Sequence, residues 1–129
     1  MAQVLIIEDD KVLNQAYQLI LEREGHHVEV AFNGAEGLDK ADAHEPDIIL
    51  LDLLMPTMGG LDFLKEYDAP AKHPNVKIII LSNIGNEKEA EKGMKLGAYK
   101  YIVKAHASPN DLSVLVNHLI NKNLDKKEA

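Results

Sequence analysis

Residues 48–56 read "IILLDLLMP". Alternate residues of a strand point to opposite sides, so a strand formed by this run is apolar on both faces. Strands of that kind belong to parallel sheets covered by helices on both sides. A single carboxylate, Asp52, stands inside the run. Burying an ionised carboxylate there is costly unless a cation or a set of hydrogen bonds meets it. An Asp that merely ends a strand and caps the next turn is the commoner case, so the rest of the chain has to decide.

Working outward, short apolar runs alternate with stretches of helical period. "QVLII" (3–7), "HVEVA" (27–31), "DIILL" (47–51), "VKIIIL" (76–81) and "YKYIV" (99–103) read as five strands, rich in Val and Ile. The first, third and fourth are apolar on both faces, as buried central strands are. Helices are expected near 11–24, 34–43, 60–68, 87–96 and 109–122. The last has the clearest signals. Ser108 is a cap, Pro109 a first-turn proline and Asp111 an acid at the third helical position. Leu112, Leu115, Val116, Leu119 and Ile120 then form one apolar stripe. Gly25 ends the first helix and Pro46 precedes the third strand. By contrast "NEKEAEKGMKLGA" (86–98) has few apolar residues and an internal Gly93, so its helix should be held less firmly.

Five strand–helix alternations give an α/β domain, a doubly wound parallel sheet with right-handed crossovers. The domain is expected over residues 1–122, with 123–129 as a polar C-terminal tail. The 129 residues suffice for one domain with a real core. A composition 46% hydrophobic and 27% charged is globular. The net charge of −7 repels nucleic acid and acidic membrane surfaces. With no cysteine, disulfides, thiolate metal sites and Cys nucleophiles are excluded. "MAQVLIIEDD" lacks the basic start of a signal peptide, and every apolar run is too short to span a bilayer. A cytoplasmic protein is the expectation.

In a parallel sheet all strand ends gather at one edge, where ligands of such folds bind. The positions there are Glu8, Asp9 and Asp10 after the first strand, Asp52 after the third, Ser82 after the fourth and Lys104 after the fifth. Clustered carboxylates repel one another unless a cation joins them, and hard oxygen ligands suit Mg²⁺. An Asp carboxylate can take a phosphoryl group as an acyl phosphate. Metal, hydroxyl and ammonium then neutralise charge on its oxygens.

These residues, in "VLIIEDD", "IILLDLLMPTMGG", "IIILSN" and "GAYKYIVK", resemble the receiver domain of response regulators, the CheY-like phosphoacceptor of two-component signalling. The resemblance covers residues 3 to about 120. It implies strand order 2-1-3-4-5, Asp52 as phosphoacceptor, Glu8 and Asp9 as the metal-binding acids, and Leu54 as a backbone-carbonyl metal ligand. Ser82 matches the switch hydroxyl, Lys104 the phosphate-binding lysine and Tyr101 the switch aromatic. It further implies a sensor histidine kinase, a phosphotransferase or a small phosphodonor as the source of phosphate. The output face would comprise the helix near 87–96, the fifth strand and the last helix. A downstream protein partner is expected, since 129 residues leave no room for a DNA-binding module. The starting Met and the completed last helix suggest a stand-alone protein; a receiver cut from a longer regulator or hybrid kinase would look the same.

One departure is local. The family usually has Pro after the lysine, often with a cis bond, where this chain has Ala105. A cis bond before a non-proline costs ~3–4 kcal/mol, so either that strain is kept or the loop "KAHASP" takes another path. Two rivals fit worse. A haloacid-dehalogenase-like phosphatase wants a second acid two residues after the nucleophile, where Leu54 stands. A flavodoxin-like flavin carrier wants a Gly, Ser and Thr loop where "EDDKV" stands. The six histidines show no metal spacing and read as surface or loop residues. Leu54 and Ile84 stand at the two positions that, by the resemblance, flank the approach of water to the acyl phosphate; neither can orient a water and both should exclude it. Self-dephosphorylation is therefore expected to be slow.

Overall fold

The three strands that are apolar on both sides, β1 (Gln3–Ile7), β3 (Ile48–Asp52) and β4 (Lys77–Ser82), lie at the centre of one sheet. β2 (His27–Ala31) and β5 (Lys100–Val103) form its edges, giving the order β2-β1-β3-β4-β5. Every neighbouring pair is parallel, as the alternation of elements required. The computed structural model describes the backbone of residues 2–128 and the side chains of residues 2–121.

The expected helices are α1 (Lys11–Arg23), α2 (Gly34–Ala43), α3 (Gly60–Tyr67), α5 (Glu87–Lys95) and α6 (Pro109–Glu128), with a single-turn helix α4 (Ala69–Lys72) after α3. Because strand residues alternate, the two sheet faces build separate cores. Val4, Ile6, Ile48, Leu50, Ile79 and Leu81 pack under α1 and α6, against Tyr17, Leu21, Leu112, Val116 and Leu119. Leu5, Ile7, Ile49, Leu51, Ile78 and Ile80 pack under α2, α3 and α5, against Phe63, Leu64, Tyr67 and Ala90. The architecture is three-layered, helices on both faces.

Side chains cap three of the helices, the last of them as expected. Asp10 accepts from the Leu13 N–H (3.1 Å) at the start of α1, and Asn33 accepts from that of Glu36 (2.8 Å) at the start of α2. Ser108 and Asp111 cap α6 reciprocally, each side chain accepting from the other's backbone N–H. The polar tail expected at 123–129 lies outside the residues whose side chains are described; the α6 backbone continues through most of it, to Glu128.

Other details differ from expectation. β3 and β4 each run one residue later, so Asp52 and Ser82 are the last residues inside their strands, paired with Leu81 and Val103. His26 sits in the loop between α1 and β2 as expected of a loop histidine, but it is buried. Its Nδ1 accepts from the Ala2 N–H (3.2 Å), and its Nε2 meets Asn117 Oδ1 (2.6 Å). Among the described residues no helix is long and apolar enough to cross a membrane.

Candidate functional site

The site lies at the edge where β1, β3, β4 and β5 end. The Glu8 N–H bonds to the Ala31 carbonyl (3.0 Å), carrying the β1–β2 ladder one residue past Ile7. Asp10 then caps α1 and turns the chain away, leaving Glu8 and Asp9 at the edge. On β3, the Leu54 N–H donates to Asp52 Oδ1 (3.3 Å), bringing that peptide alongside the carboxylate. The chain returns into α3 at Gly60, whose N–H bonds to the Leu53 carbonyl (3.0 Å). A Cβ at Gly60 would lie 2.6 Å from the Asp52 carbonyl oxygen, so only glycine lets α3 begin this close to the acid.

Carboxylate oxygens of Glu8, Asp9 and Asp52 lie within 4.8 Å of one another. Glu8 and Asp52 are buried, Asp9 partly so. Lys104 reaches in from the end of β5. Its Nζ is 2.6 Å from Glu8 Oε1 and 3.4 Å from Asp52 Oδ2. Its shorter contact is therefore to Glu8 rather than to Asp52. The Lys104–Ala105 bond is not cis, as no peptide bond among the described residues is. The loop takes the other path, a 3₁₀ turn over Lys104–His106, and the ammonium still arrives between the acids.

Burial pushes the Asp52 carboxyl up to about 8; the neighbouring Glu8 adds to this and Lys104 opposes it. Burial alone would lower the Lys104 pKa, but the hydrogen bond to Glu8 and the charges of Asp52 and Glu8 outweigh it and leave it raised. Three carboxylates facing one ammonium leave two negative charges when all are ionised, which a divalent cation would cancel. Glu8 Oε2, fully buried, has no hydrogen-bond partner. An orphaned carboxylate oxygen among hard donors fits Mg²⁺ coordination. The residues present suit that ion.

Ser82 is buried, and its hydroxyl donates to the Ile102 carbonyl (3.4 Å) across the β4–β5 pair. Tyr101 is half-buried on β5 and packs against the core under α2, α3 and α5. Glu8, Asp9, Asp52 and Lys104 are thus brought together, while Ser82 and Tyr101 stand on adjoining strands without a bond to the acids.

The sequence profile described as the response regulator receiver domain matches residues 4–117. The chain belongs to this family. Over 98% of its length the receiver is 31% identical to a probable transcriptional regulator, ycf29, of Porphyra purpurea, covering 63% of that protein. It is 36% identical to the response regulator ArlR of Staphylococcus aureus over 81% of this chain and 46% of that one. The chain therefore spans about half to two-thirds of the curated relatives' length. A CheY-like response regulator receiver domain protein from Methanospirillum hungatei superposes with a TM-score of 0.82 at 29% identity, over 99% of this chain and 97% of that one. Receiver domains are signalling modules rather than enzymes acting on a separate metabolite.

The sequence reading passed over one residue of this receiver's site. Asn14, on the inner face of α1, is buried, and its amide nitrogen bonds to the backbone of Glu8 (3.0 Å) and Ala31 (3.2 Å). In sequence it is one more polar residue in a helix. Its role depends on β2 lying beside β1, which no local signal announces.

Proposed function

We propose that the protein is a cytoplasmic, Mg²⁺-dependent phosphoacceptor of two-component signalling, phosphorylated on Asp52 by a histidine kinase or phosphotransferase, or by a small phosphodonor. The observation that carries the reading is the convergence of Glu8, Asp9, Asp52 and Lys104 at one strand-end edge of a receiver domain. An Asp52 oxygen forms a bond to phosphorus as the donor's bond to phosphorus breaks, leaving an acyl phosphate. Mg²⁺, when bound, neutralises charge on the transferring phosphoryl oxygens. Glu8, Asp9, Asp52 and the Leu54 carbonyl are the ligands proposed to hold it. Lys104 holds the phosphoryl group as a point charge, and Ser82 turns its hydroxyl from the Ile102 carbonyl to a phosphoryl oxygen. Tyr101 is proposed to move inward after it. A downstream protein then reads the face of α5, β5 and α6; direct contact with nucleic acid or membrane is not part of this reading.

Brief exposure to acetyl phosphate with Mg²⁺ should raise the intact mass by one phosphoryl group. An Asp52→Asn variant labelled to the same stoichiometry would overturn the assignment.

The acyl phosphate should be long-lived. Leu54 is 51% exposed and Ile84 68%, so they stand open to solvent rather than sealing the site. Exclusion of water is therefore not their contribution. Neither side chain can hydrogen-bond an attacking water, and orientation of that water is what the site lacks. A Leu54→Asn, Ile84→Glu double variant should release phosphate ~10-fold faster or more. Equal release rates would remove this explanation of lifetime.

The coverage of the relatives favours one second reading, that such a receiver works as one part of a longer regulator. The reading frame of the gene around this segment tests it.

A further inference from the structure

We infer that Asn14 is a positioning residue for the carboxylates of Glu8 and Asp9, clamping the backbone from which they project. The inference rests on the metal-binding reading above. Asn14 is 1% exposed on a helix face it shares with Tyr17 and Leu21, a place where an apolar side chain would be the ordinary choice. Its amide nitrogen donates to the carbonyls of both Glu8 and Ala31, at 3.0 and 3.2 Å. Two carbonyls in front of the side chain fix which end is nitrogen. The other end, Oδ1, is buried without a partner. An unsatisfied buried oxygen carries the uncompensated loss of its hydration. An amide kept at that cost must supply something its apolar replacement would not.

Its placement shows what that is. The Glu8 N–H already bonds to the Ala31 carbonyl, so Asn14 completes a clasp in which the N–H and the carbonyl of Glu8 are both held. From the other side, the Asn14 N–H bonds to the Asp10 carbonyl (2.9 Å) and Asp10 caps the same helix. Residues 8–10 are therefore fastened to β2 at one end and to α1 at the other. Acidic groups crowd within 4.8 Å at this edge, and the clasp, together with the Lys104 ammonium, restrains the segment that carries two of them.

Mg²⁺ requires near-ideal octahedral geometry, whereas Ca²⁺ accepts flexible and larger shells. Loosening the acid pair should therefore harm Mg²⁺ more than Ca²⁺. An amide that only stabilises the core would not change the preference between ions. The experiment is titration of native protein, Asn14→Leu, Asn14→Ser and Val116→Ala with MgCl₂ and with CaCl₂, followed by the NMR shifts of the Glu8, Asp9 and Asp52 amides. Asn14→Leu should bind Mg²⁺ about 10-fold more weakly, the scale of losing a partner behind a metal ligand. Its Ca²⁺ affinity should change much less. Asn14→Ser, which retains one donor, should fall between; if the leucine variant does not fold, it carries the comparison. Val116→Ala lies in the same core layer and should lower stability while leaving both affinities as they were. Unchanged Mg²⁺ affinity in the Asn14 variants overturns the inference, as does equal weakening of both ions or an equal loss in Val116→Ala. Native protein that binds neither ion at these carboxylates overturns the metal-binding reading itself, and the inference with it.

Discussion

α5 and α6 flank β5 from opposite faces of the sheet and are held in opposite ways. α6 lays Leu112, Val116 and Leu119 into the core beneath α1, and its first turn is locked by Ser108 and Asp111. α5 buries only Ala90 and Gly93, and its cap residue Asn86 makes no side-chain hydrogen bond. Gly93 lets α5 lie almost on the strand, since a Cβ there would come 2.3 Å from Ile80 Cδ1. Fully burying one large aliphatic side chain stabilises by about 1.5–3 kcal/mol, and α5 has none fully buried. The difference is between a helix anchored by buried aliphatic side chains and one seated close to the sheet with almost none. Little buried apolar area predicts that α5 is the element whose position changes most easily.

The comparison can be broken most directly at α6. Leu112→Ala should cost ~2–5 kcal/mol of global stability, read from urea unfolding, because it opens a cavity in a packed layer. A loss under 1 kcal/mol would mean that α6 is not the firm element. A smaller effect is expected at Gly93→Ala. The added methyl meets the tip of Ile80 but improves helix propensity, so the net cost should be about 1 kcal/mol. Hydrogen exchange should then speed up in α5 while α6 keeps its protection; equal acceleration in both would erase the distinction. Smallest in energy, though not in information, is the response to beryllofluoride with Mg²⁺. Amide shifts should concentrate from Ser82 through α5 and β5 to α6, with the largest in α5. Changes confined to residues 8–10 and 52–54 would show that α5 does not respond.

The fold was legible in the sequence because parallel-sheet packing writes itself into local composition. "IILLD" and "KIIIL" are apolar on both faces only because helices cover both, and those strands are central. Glu8, Asp9, Asp52 and Lys104 were legible for a related reason: each follows or closes a strand, and parallel strands end together. What escaped depended on contacts between distant segments. α4 follows from Asp68, which holds a left-handed conformation (φ 48°) between two helices. Asn14 reaches the backbone of Ala31, 17 residues away, at the end of a strand that no local signal places beside it. His26 is buried because α6 returns to meet it, and nothing near position 26 records that. Exposure of Leu54 and Ile84 escaped as well, since loop hydrophobicity gives residue type but not direction.

The contact between Lys104 and Glu8 spans 96 positions of the chain. During synthesis the acid pair is made early, Asp52 midway and the lysine only after the fifth strand is complete. Until then the acids have no ammonium between them, and β4 lacks the neighbour whose carbonyl receives the Ser82 hydroxyl. A chain ending before Lys104 would present these carboxylates without the ammonium that meets them. On the proposed phosphoacceptor reading, the complete site would exist only once residues nearly a hundred positions apart have met.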